Sequence, residues 1–354
     1  MNVLMILNHA PDYREPFLRE LGEKVNLTVV AQPCEPDGLS PPEWRKNYQY
    51  KEIQPLELFN LLWQPGLGSI LHNTSWDIVC VSANLRHVSR IALFVNNAKY
   101  RKKWIWWGLI FGEVKSKFVS RVRNYLLSNA AHCLVHSKSV SLRLREQYKI
   151  DATSFNNTEI RSNEFRDGVY NKVKDKLNIL FVGTYKPRKK IERLIELADR
   201  RSDVMVRIVG PGMEALEAPD YLVDSGRVQI FERATGSQLN THFDWADVAV
   251  SPGNVGLLIM NAARHGKGII IDNNSYHGPE YWLAKETDQP FISFADESAV
   301  DRLIDDVHND PGLIRQWGQA LQEKARQEYT IESMVKTHIK VFESVINKNQ
   351  SSPQ

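Results

Sequence analysis

The sequence predicts an α/β protein of two doubly wound domains, each a parallel sheet with helices on both faces. Three observations carry this. Short β-type runs alternate with helix-compatible stretches, an order that places parallel strands between covering helices. The alternation occurs twice, on either side of a polar stretch at residues 158–176 that loses its periodicity. A chain of 354 residues is also long for one domain and sufficient for two, each able to bury its own core.

In chain order, the first set of β-type runs covers residues 2–8, 25–31, 76–82, 103–107 and 132–136. The second covers residues 180–183, 205–210, 228–231, 247–251 and 268–272. The polar stretch between them suits a linker. From Thr330 onward Ile331, Met334, Val335, His338, Val341, Phe342 and Val345 recur at helical spacing. Residues 349–354, Asn-Gln-Ser-Ser-Pro-Gln, read as a disordered end. The expected division is an N-terminal domain at 1–165, a second domain at 166–329, and a C-terminal helix and tail at 330–354.

Composition is ordinary for a globular protein, 42% apolar and 25% charged. No apolar run approaches the roughly 20 residues of a membrane span. The first residues lack a basic n-region and a small-residue cleavage site and read as a core strand. Cys34, Cys80 and Cys133 are widely spaced and show no metal-ligand pattern, so they are expected as buried free thiols of a cytoplasmic protein. Net charge is only +3, yet the segment from Arg86 to Lys149 holds fourteen Lys and Arg against two acids, Glu113 and Glu146. Such a block suits nucleic acid, anionic lipid headgroups or a pyrophosphate-bearing acceptor. Nucleic acid is not expected, because no recognised binding module accompanies it.

The most informative stretch is 247–280. An apolar strand ends at Ser251, a Pro-Gly-Asn turn follows, and an apolar helix is expected from about Val255 to His265, closed by Gly266. A helix start among small residues (Gly253, Asn254, Val255, Gly256) presents unpaired N–H groups and the positive end of the helix dipole to a phosphate. A diphosphate is the ligand it suits. After the strand ending at Gly183 stand Thr184 and four cations, Lys186, Arg188, Lys189 and Lys190, upstream of a helix, and these cations can grip phosphate oxygens. Gly210 and Gly212 flank Pro211 after the next strand and allow close approach of a ligand or backbone. In the first domain His9, Asp12 and Arg14 follow the first strand. Residues 84–89 and 106–113 are further candidate loops, the latter with aromatics that suit sugar or lipid contacts. In doubly wound sheets ligands bind outside the carboxyl ends of strands, and with two such domains the cleft between them is the expected site. No Gly-x-x-x-x-Gly-Lys-Ser/Thr loop, Gly-x-Ser-x-Gly elbow, His-Glu-x-x-His or Asp-x-Asp pair occurs. Protein cations and a helix end would then neutralise a diphosphate without a metal.

On these residues the chain resembles the retaining glycosyltransferases of family 4, with the GT-B fold, and among them bacterial surface-polysaccharide enzymes of the O-antigen type. Residues 180–198 (LFVGTYKPRKKIERLIELA) are similar to the family's strand–glycine–lysine–helix segment. Residues 206–212 (VRIVGPG) resemble its next strand and glycine turn, and residues 245–257 (WADVAVSPGNVGL) its donor loop and helix. Residues 12–17 (DYREPF) are typical of polysaccharide members.

The resemblance implies two Rossmann-like domains facing across a cleft, with the last helix crossing back to the first domain. It implies Lys189 as the diphosphate-binding lysine. Thr184 stands where the family has arginine, and Arg188 or Lys186 can replace it. The family's two glutamates, eight positions apart, are Gly253 and Asn261 here, which puts the sugar and ribose contacts of those positions in doubt. Glu280 is a further donor-side candidate, and a family histidine falls near Leu109. The implied reaction is metal- and cofactor-independent transfer, with retention, from a UDP- or GDP-sugar to a glycan acceptor on polyprenyl diphosphate. It would serve lipopolysaccharide O-antigen or capsule synthesis at the inner membrane face. Lys189, Arg188 and His9 are the catalytic candidates. Gly183, Thr184, Lys186, Gly210, Gly212, Gly253, Asn254, Val255, Gly256, Asn261, Glu280, Asp12 and Arg14 are the substrate-binding ones. The basic, Trp-containing stretch from Lys99 to Arg123 would rest on anionic headgroups. A nucleotide-sugar epimerase and a non-catalytic partner subunit are the competing readings.

Overall fold

The computed structural model describes residues 1–34, 41–111, 116–170 and 175–351. They form two compact units, residues 1–159 with 331–354 and residues 160–330. Each is a doubly wound α/β domain.

The first unit holds strands β1 (Asn2–Ile6), β2 (Asn26–Ala31), β3 (Gln49–Glu52), β4 (Leu56–Leu58), β5 (Leu61–Trp63), β6 (Ile78–Ser82), β7 (Trp104–Gly108), β8 (His132–Val135) and β9 (Ala152–Ser154). Seven of them form one parallel sheet in the order β3-β2-β1-β6-β7-β8-β9, while β4 and β5 pair only with each other, antiparallel. Side chains of successive residues point to opposite faces. Val3 and Met5 face a core that includes helices Glu15–Lys24 and Ile331–Ser351, whereas Leu4 and Ile6 face one that includes Trp104, Trp106 and Phe94. Near-continuous burial of β1, β6 and β7 is what two covered faces demand.

The second unit holds β10 (Leu177–Val182), β11 (Val204–Val209), β12 (Val228–Phe231), β13 (Val248–Ser251), β14 (Gly268–Asp272) and β15 (Phe291–Ile292). They are all parallel, in the order β12-β11-β10-β13-β14-β15. Both sheets therefore run outward from their first strand in two directions, and the reversal lies beside β1 in one unit and β10 in the other. That switch point is where the exits of neighbouring strands diverge and leave a crevice.

Three expectations need correction. The final helix runs to Ser351, so Asn349 to Ser351 are helical, and only residues 352–354 lie outside the described residues. The polar stretch after Thr158 is packed onto the second unit where it is described. Arg166 donates its N–H to Arg264 O at 2.8 Å and forms a paired contact with Asp244, and Tyr170 Oη donates to Gly266 O at 2.7 Å. The fully buried Lys267 amine reaches Val169 O and Ala246 O. Polar composition here serves hydrogen bonds to backbone rather than a free tether. The tryptophans of the basic stretch, Trp104, Trp106 and Trp107, are buried in β7 and unavailable to lipid. Within the same stretch Lys103 donates to Trp76 O and Arg101 to Phe94 O, so these cations are partly taken up by the fold.

Cys34, Cys80 and Cys133 are buried free thiols, as expected. Several histidines are buried as neutral rings. Burial pushes His87 and His338 down to about 3 and His265 down to about 4, from an ordinary value of 6.5. His338 Nε2 accepts from Trp107 Nε1 at 2.9 Å, which only a neutral ring can do. An unfolded chain binds a proton near 6.5 that the folded chain refuses until about 3 or 4. Stability is therefore full above about pH 6.5 and is lost as pH falls through that interval, by about 1.4 kcal/mol per pH unit for each such ring. Thermal unfolding followed between pH 7 and pH 5 should show a marked fall in Tm, and a flat profile over that range would contradict the neutral assignment.

Candidate functional site

The switch point of the second unit joins two loops, residues 183–190 after β10 and 252–257 after β13. They are tied directly. Asn254 donates its N–H to Arg188 O at 2.8 Å, and Lys189 Nζ donates to Asn254 O at 2.8 Å. At Gly253 an added Cβ would lie 2.5 Å from the carbonyl oxygens of both Arg188 and Lys189. No side chain fits there. Two further glycines on the same rim are steric requirements as well. A Cβ on Gly210 would stand 1.9 Å from Gly183 O, so β10 and β11 can leave the sheet side by side only with glycine at 210. Gly212 has φ +82°, in the left-handed region, and the neighbouring Pro211 O accepts from Tyr185 N–H at 3.0 Å.

The cations of the first loop divide by role. Lys186 and Arg188 are exposed, as is the neutral Thr184. Lys189 is half-buried, and its amine is pushed down to about 8 by burial, then by Arg188 and Lys186, against the opposing pull of Glu280. Lys190, at φ +51°, turns away and donates to Ser275 Oγ at 2.9 Å and to Asp272 Oδ2 at 3.4 Å. Asp272 is fully buried at the end of β14, with Arg193 3.8 Å away. Burial raises its carboxyl, but hydrogen bonds from Ser275, Phe294 N–H and Lys190 outweigh that and hold it below its ordinary value. Lys190 and Arg193 thus anchor the loop to the sheet, while Lys186 and Arg188 stay exposed and Lys189 lies half-buried against Asn254 O.

The helix after β13 is shorter than expected: it runs Leu258–Arg264 rather than from Val255 to His265. The reason lies in lateral bonds. Asn254 is bound to Arg188 and, through its side chain, to Tyr276 O, and Val255 N–H points to His277 Nδ1 at 3.3 Å. Gly278 N–H returns to Val255 O at 2.9 Å. Residues 253–257 are therefore stitched to two other loops instead of joining the helix. No acceptor among the described residues meets the N–H groups of Gly256, Leu257 and Leu258. A Cβ at Gly256 would have no neighbour within 4 Å, so space lies beside these donors.

Glu280 and His277 complete the cluster. Glu280 is buried at the start of helix Tyr281–Glu286, and its Oε2 lies 2.6 Å from the position a Cβ on Gly278 would occupy, which is itself 3.7 Å from Gly256 Cα. His277 Nε2 has no hydrogen-bond partner among the described residues, and burial lowers its ring from the ordinary histidine value. Asn261 sits on the short helix with its amide donating back to Leu257 O at 3.4 Å. No group of three or more His, Cys, Asp or Glu among the described residues is placed to hold a metal.

Residues 162–324 match the family described as glycosyl transferases group 1. The match spans most of the second unit and a little under half of the chain. None of the curated proteins matches the chain in sequence. Solved structures match it over nearly its whole length. A sucrose-phosphate synthase from Thermosynechococcus elongatus is 14% identical, covers 98% of this chain and is itself covered completely, with a TM-score of 0.70. A glycosyltransferase from Rickettsia africae is 14% identical with a TM-score of 0.69, each chain covered to 98%. HepE from Anabaena, solved with UDP and glucose, is 13% identical with a TM-score of 0.65, covering 97% of this chain and all of its own. At such identity the likeness establishes the fold, two Rossmann-like domains of the GT-B type.

In the second unit the structure brings together Gly183, Lys186, Arg188, Lys189, Gly253, Asn254, Val255, Gly256 and Glu280, all named from the sequence. His277 and Asp272 belong to the same region and were not singled out, while Lys190, read as a phosphate-gripping cation, is instead bound to Asp272 and Ser275. The signal available for them was a strand ending in Asp272 followed by a Ser-Tyr-His-Gly-Pro-Glu loop. The first-unit candidates lie at the exit of β1. His9 Nδ1 donates to Pro33 O at 2.8 Å and its Nε2 lies 2.8 Å from Gln32 Nε2, so both ring nitrogens are engaged within the protein. Asp12 accepts from Tyr13 N–H at 2.7 Å. Arg14 turns inward to Asn157 Oδ1 at 2.7 Å, with its guanidinium 5.0 Å from the Trp107 ring centre. Arg90, unnoticed in an apolar helix pattern, is fully buried and binds Leu7 O, Asn8 Oδ1, Ser82 O and Gln64 Oε1, closing the β1/β6 crevice from below. The candidate loop at 106–113 supplies packing from Trp106 and Trp107, while Gly112 and Glu113 lie outside the described residues.

Gly253→Ala should lower stability by about 2 kcal/mol or more, since backbone carbonyls must move to admit the methyl. Limited trypsin digestion should then cut faster at Arg188 to Lys190, where the wild-type loop is held. Unaltered Tm and cleavage would refute the contact.

Proposed function

We propose that this chain is a retaining glycosyltransferase that moves a sugar from a nucleotide-diphosphate sugar to a glycan acceptor. The observation that carries the reading is the convergence of three open N–H groups, Gly256 to Leu258, with Lys189 and Arg188 at the switch point of the unit that matches the group 1 family. Backbone donors and cations fixed before a ligand arrives favour charge that develops on a leaving diphosphate, with no reorganisation at the moment of reaction. In this reading the diphosphate lies at Gly253–Gly256, Lys189 and Arg188 neutralise it, and no metal or cofactor takes part. The acceptor hydroxyl attacks the anomeric carbon on the face the diphosphate leaves, and a departing phosphate oxygen takes the proton. Attack from that face retains configuration.

Because Gly253 admits no side chain, we assign the carboxylate for the sugar hydroxyls to Glu280, whose Oε2 lies near Gly278 and Gly256. His277 Nε2 offers a donor to the same ligand, and Asn261 one hydrogen bond to the ribose. UDP is the first nucleotide to test, since HepE was solved with it. GDP is the second. The acceptor we assign is a sugar on polyprenyl diphosphate, in the synthesis of a bacterial O-antigen or capsule, with the protein peripheral on the cytoplasmic face. No helix among the described residues is long and apolar enough to cross a membrane. The exposed cations between Lys99 and Arg123 would then meet anionic headgroups, each near-surface contact contributing about 1 kcal/mol.

A binding-only subunit draws on the same two replacements, Gly253 and Asn261. It would hold the nucleotide sugar tightly without transfer, and an epimerase would convert the donor with no acceptor present. Product analysis with and without acceptor separates the three.

Lys189→Ala should weaken UDP or GDP binding in calorimetry by at least about tenfold, and turnover with it, because a charged phosphate contact is lost. The wild-type affinity should fall as pH rises through about 8, where the Lys189 amine loses its charge. That step should vanish in the alanine variant. Equal affinity for the two proteins would end the placement of the diphosphate here.

A further inference from the structure

We propose that the β4–β5 hairpin is a membrane-insertion element, and that its partner is an anionic lipid surface. The two strands belong to no larger sheet, and Phe59 and Asn60 form their turn with φ +49° and +63°, the two-residue type suited to a tight hairpin. A hairpin of this kind normally survives by burying one face. Here Leu62 alone of its large apolar side chains is buried. Leu56 is 64% exposed, Leu58 68%, Phe59 90%, Leu61 47% and Trp63 50%. Single exposed apolar residues are ordinary, but five on one eight-residue projection form a patch that water disfavours.

The hairpin is anchored as a fixed projection. Leu62 donates its N–H to Arg86 O at 2.7 Å, and Arg86 reaches back to Asn60 O and to Glu57 Oε1, both at 2.9 Å. Glu57 is the only charged residue of the hairpin, and Arg86 neutralises it. The tip thus carries no unpaired charge into an apolar medium.

Charge complementarity identifies the partner. The hairpin leaves the carboxyl end of β3 and docks on the loop after β6. Helix Lys117–Ser128 lies beside that loop, since Asn84 and Leu85 line one small cavity with its Arg123 and Leu126. This helix contains no acid, and its exposed side presents Lys117, Phe118, Arg121 and Tyr125. Phe118 is 74% and Tyr125 52% exposed. Aromatic rings interleaved with cations beside an apolar tip match a headgroup boundary, with the rings at the interface and the cations on phosphates. The inference deepens the lipid-linked acceptor reading and rests on it only for its purpose: the acceptor would be anchored in the same interface that the hairpin enters.

The test is vesicle flotation of the full chain without substrate, using phosphatidylcholine vesicles and vesicles enriched in phosphatidylglycerol. Binding to both is expected, and stronger to the second. Leu58→Ser with Phe59→Ser should lower the partition constant at least about tenfold on either vesicle, since two apolar side chains no longer leave water. Lys117→Glu with Arg121→Glu should remove the preference for phosphatidylglycerol and leave the weaker binding. All four positions are exposed, so Tm should hold, and calorimetry with UDP or GDP should be unchanged in both variants. Nucleotide binding lost in the wild type would strike the donor reading and leave flotation untouched. Wild-type protein that ignores both vesicles, or a serine variant that binds as well as wild type, would overturn the proposal. So would a sedimentation shift from dimer to monomer in the serine variant without lipid binding, which would make the patch a contact between two copies.

Discussion

The contact between the exits of β10 and β13 governs the arrangement of the candidate site. With Gly253 pressed on the carbonyls of Arg188 and Lys189, the two loops share a backbone hydrogen bond and the Lys189 amine closes over Asn254 O. That closeness stops the helix from starting at Val255 and leaves three donors open beyond the seam. It also excludes a carboxylate at 253. One steric fact thus accounts for both the glycine at 253 and the three open donors beyond it.

The two units meet the same architectural problem with the same kind of solution. Each sheet reverses direction beside its first strand, and the diverging exits must be held at a fixed spacing. In the first unit Arg90 does this from below, bound to Leu7 O and Ser82 O. In the second, Lys189 does it from within the rim. Both cations are satisfied by carbonyl oxygens, and burial pushes both down, Arg90 to about 9 and Lys189 to about 8. The difference lies in access: Arg90 is sealed and can only support, whereas Lys189 is half-buried and can exchange Asn254 O for a ligand oxygen.

Central strands were legible because burial on both faces forces continuous apolar runs, and all ten such runs read from the sequence are strands. Edge strands were not, apart from β12 at one end of the second sheet. β3, β9 and β15 are two to four residues long, with few buried positions to leave a pattern. The helix start at 255 was misplaced because its boundary is decided by Arg188 and His277, partners distant in sequence that no local propensity encodes. Glycines showed where backbones approach, but not whether the neighbour was ligand or protein. At Gly210 and Gly253 it is protein. His277 and Asp272 escaped notice because each is an ordinary residue until the fold sets it beside β13. Arg90 was not singled out in the sequence, and only its burial reveals a clamp.

The helix Ile331–Ser351 covers a face of the first sheet, against Phe17 and the helix Glu15–Lys24, although the whole of the second unit precedes it in the chain. A ribosome therefore completes the second unit before it makes the piece that seals the first. Throughout that interval the earlier-made sheet keeps an uncovered apolar side, the condition under which nascent chains engage chaperones or stick to one another. Production of this protein is thus most vulnerable until that helix emerges, and its loss would expose a face of the sheet built from residues far earlier in the chain.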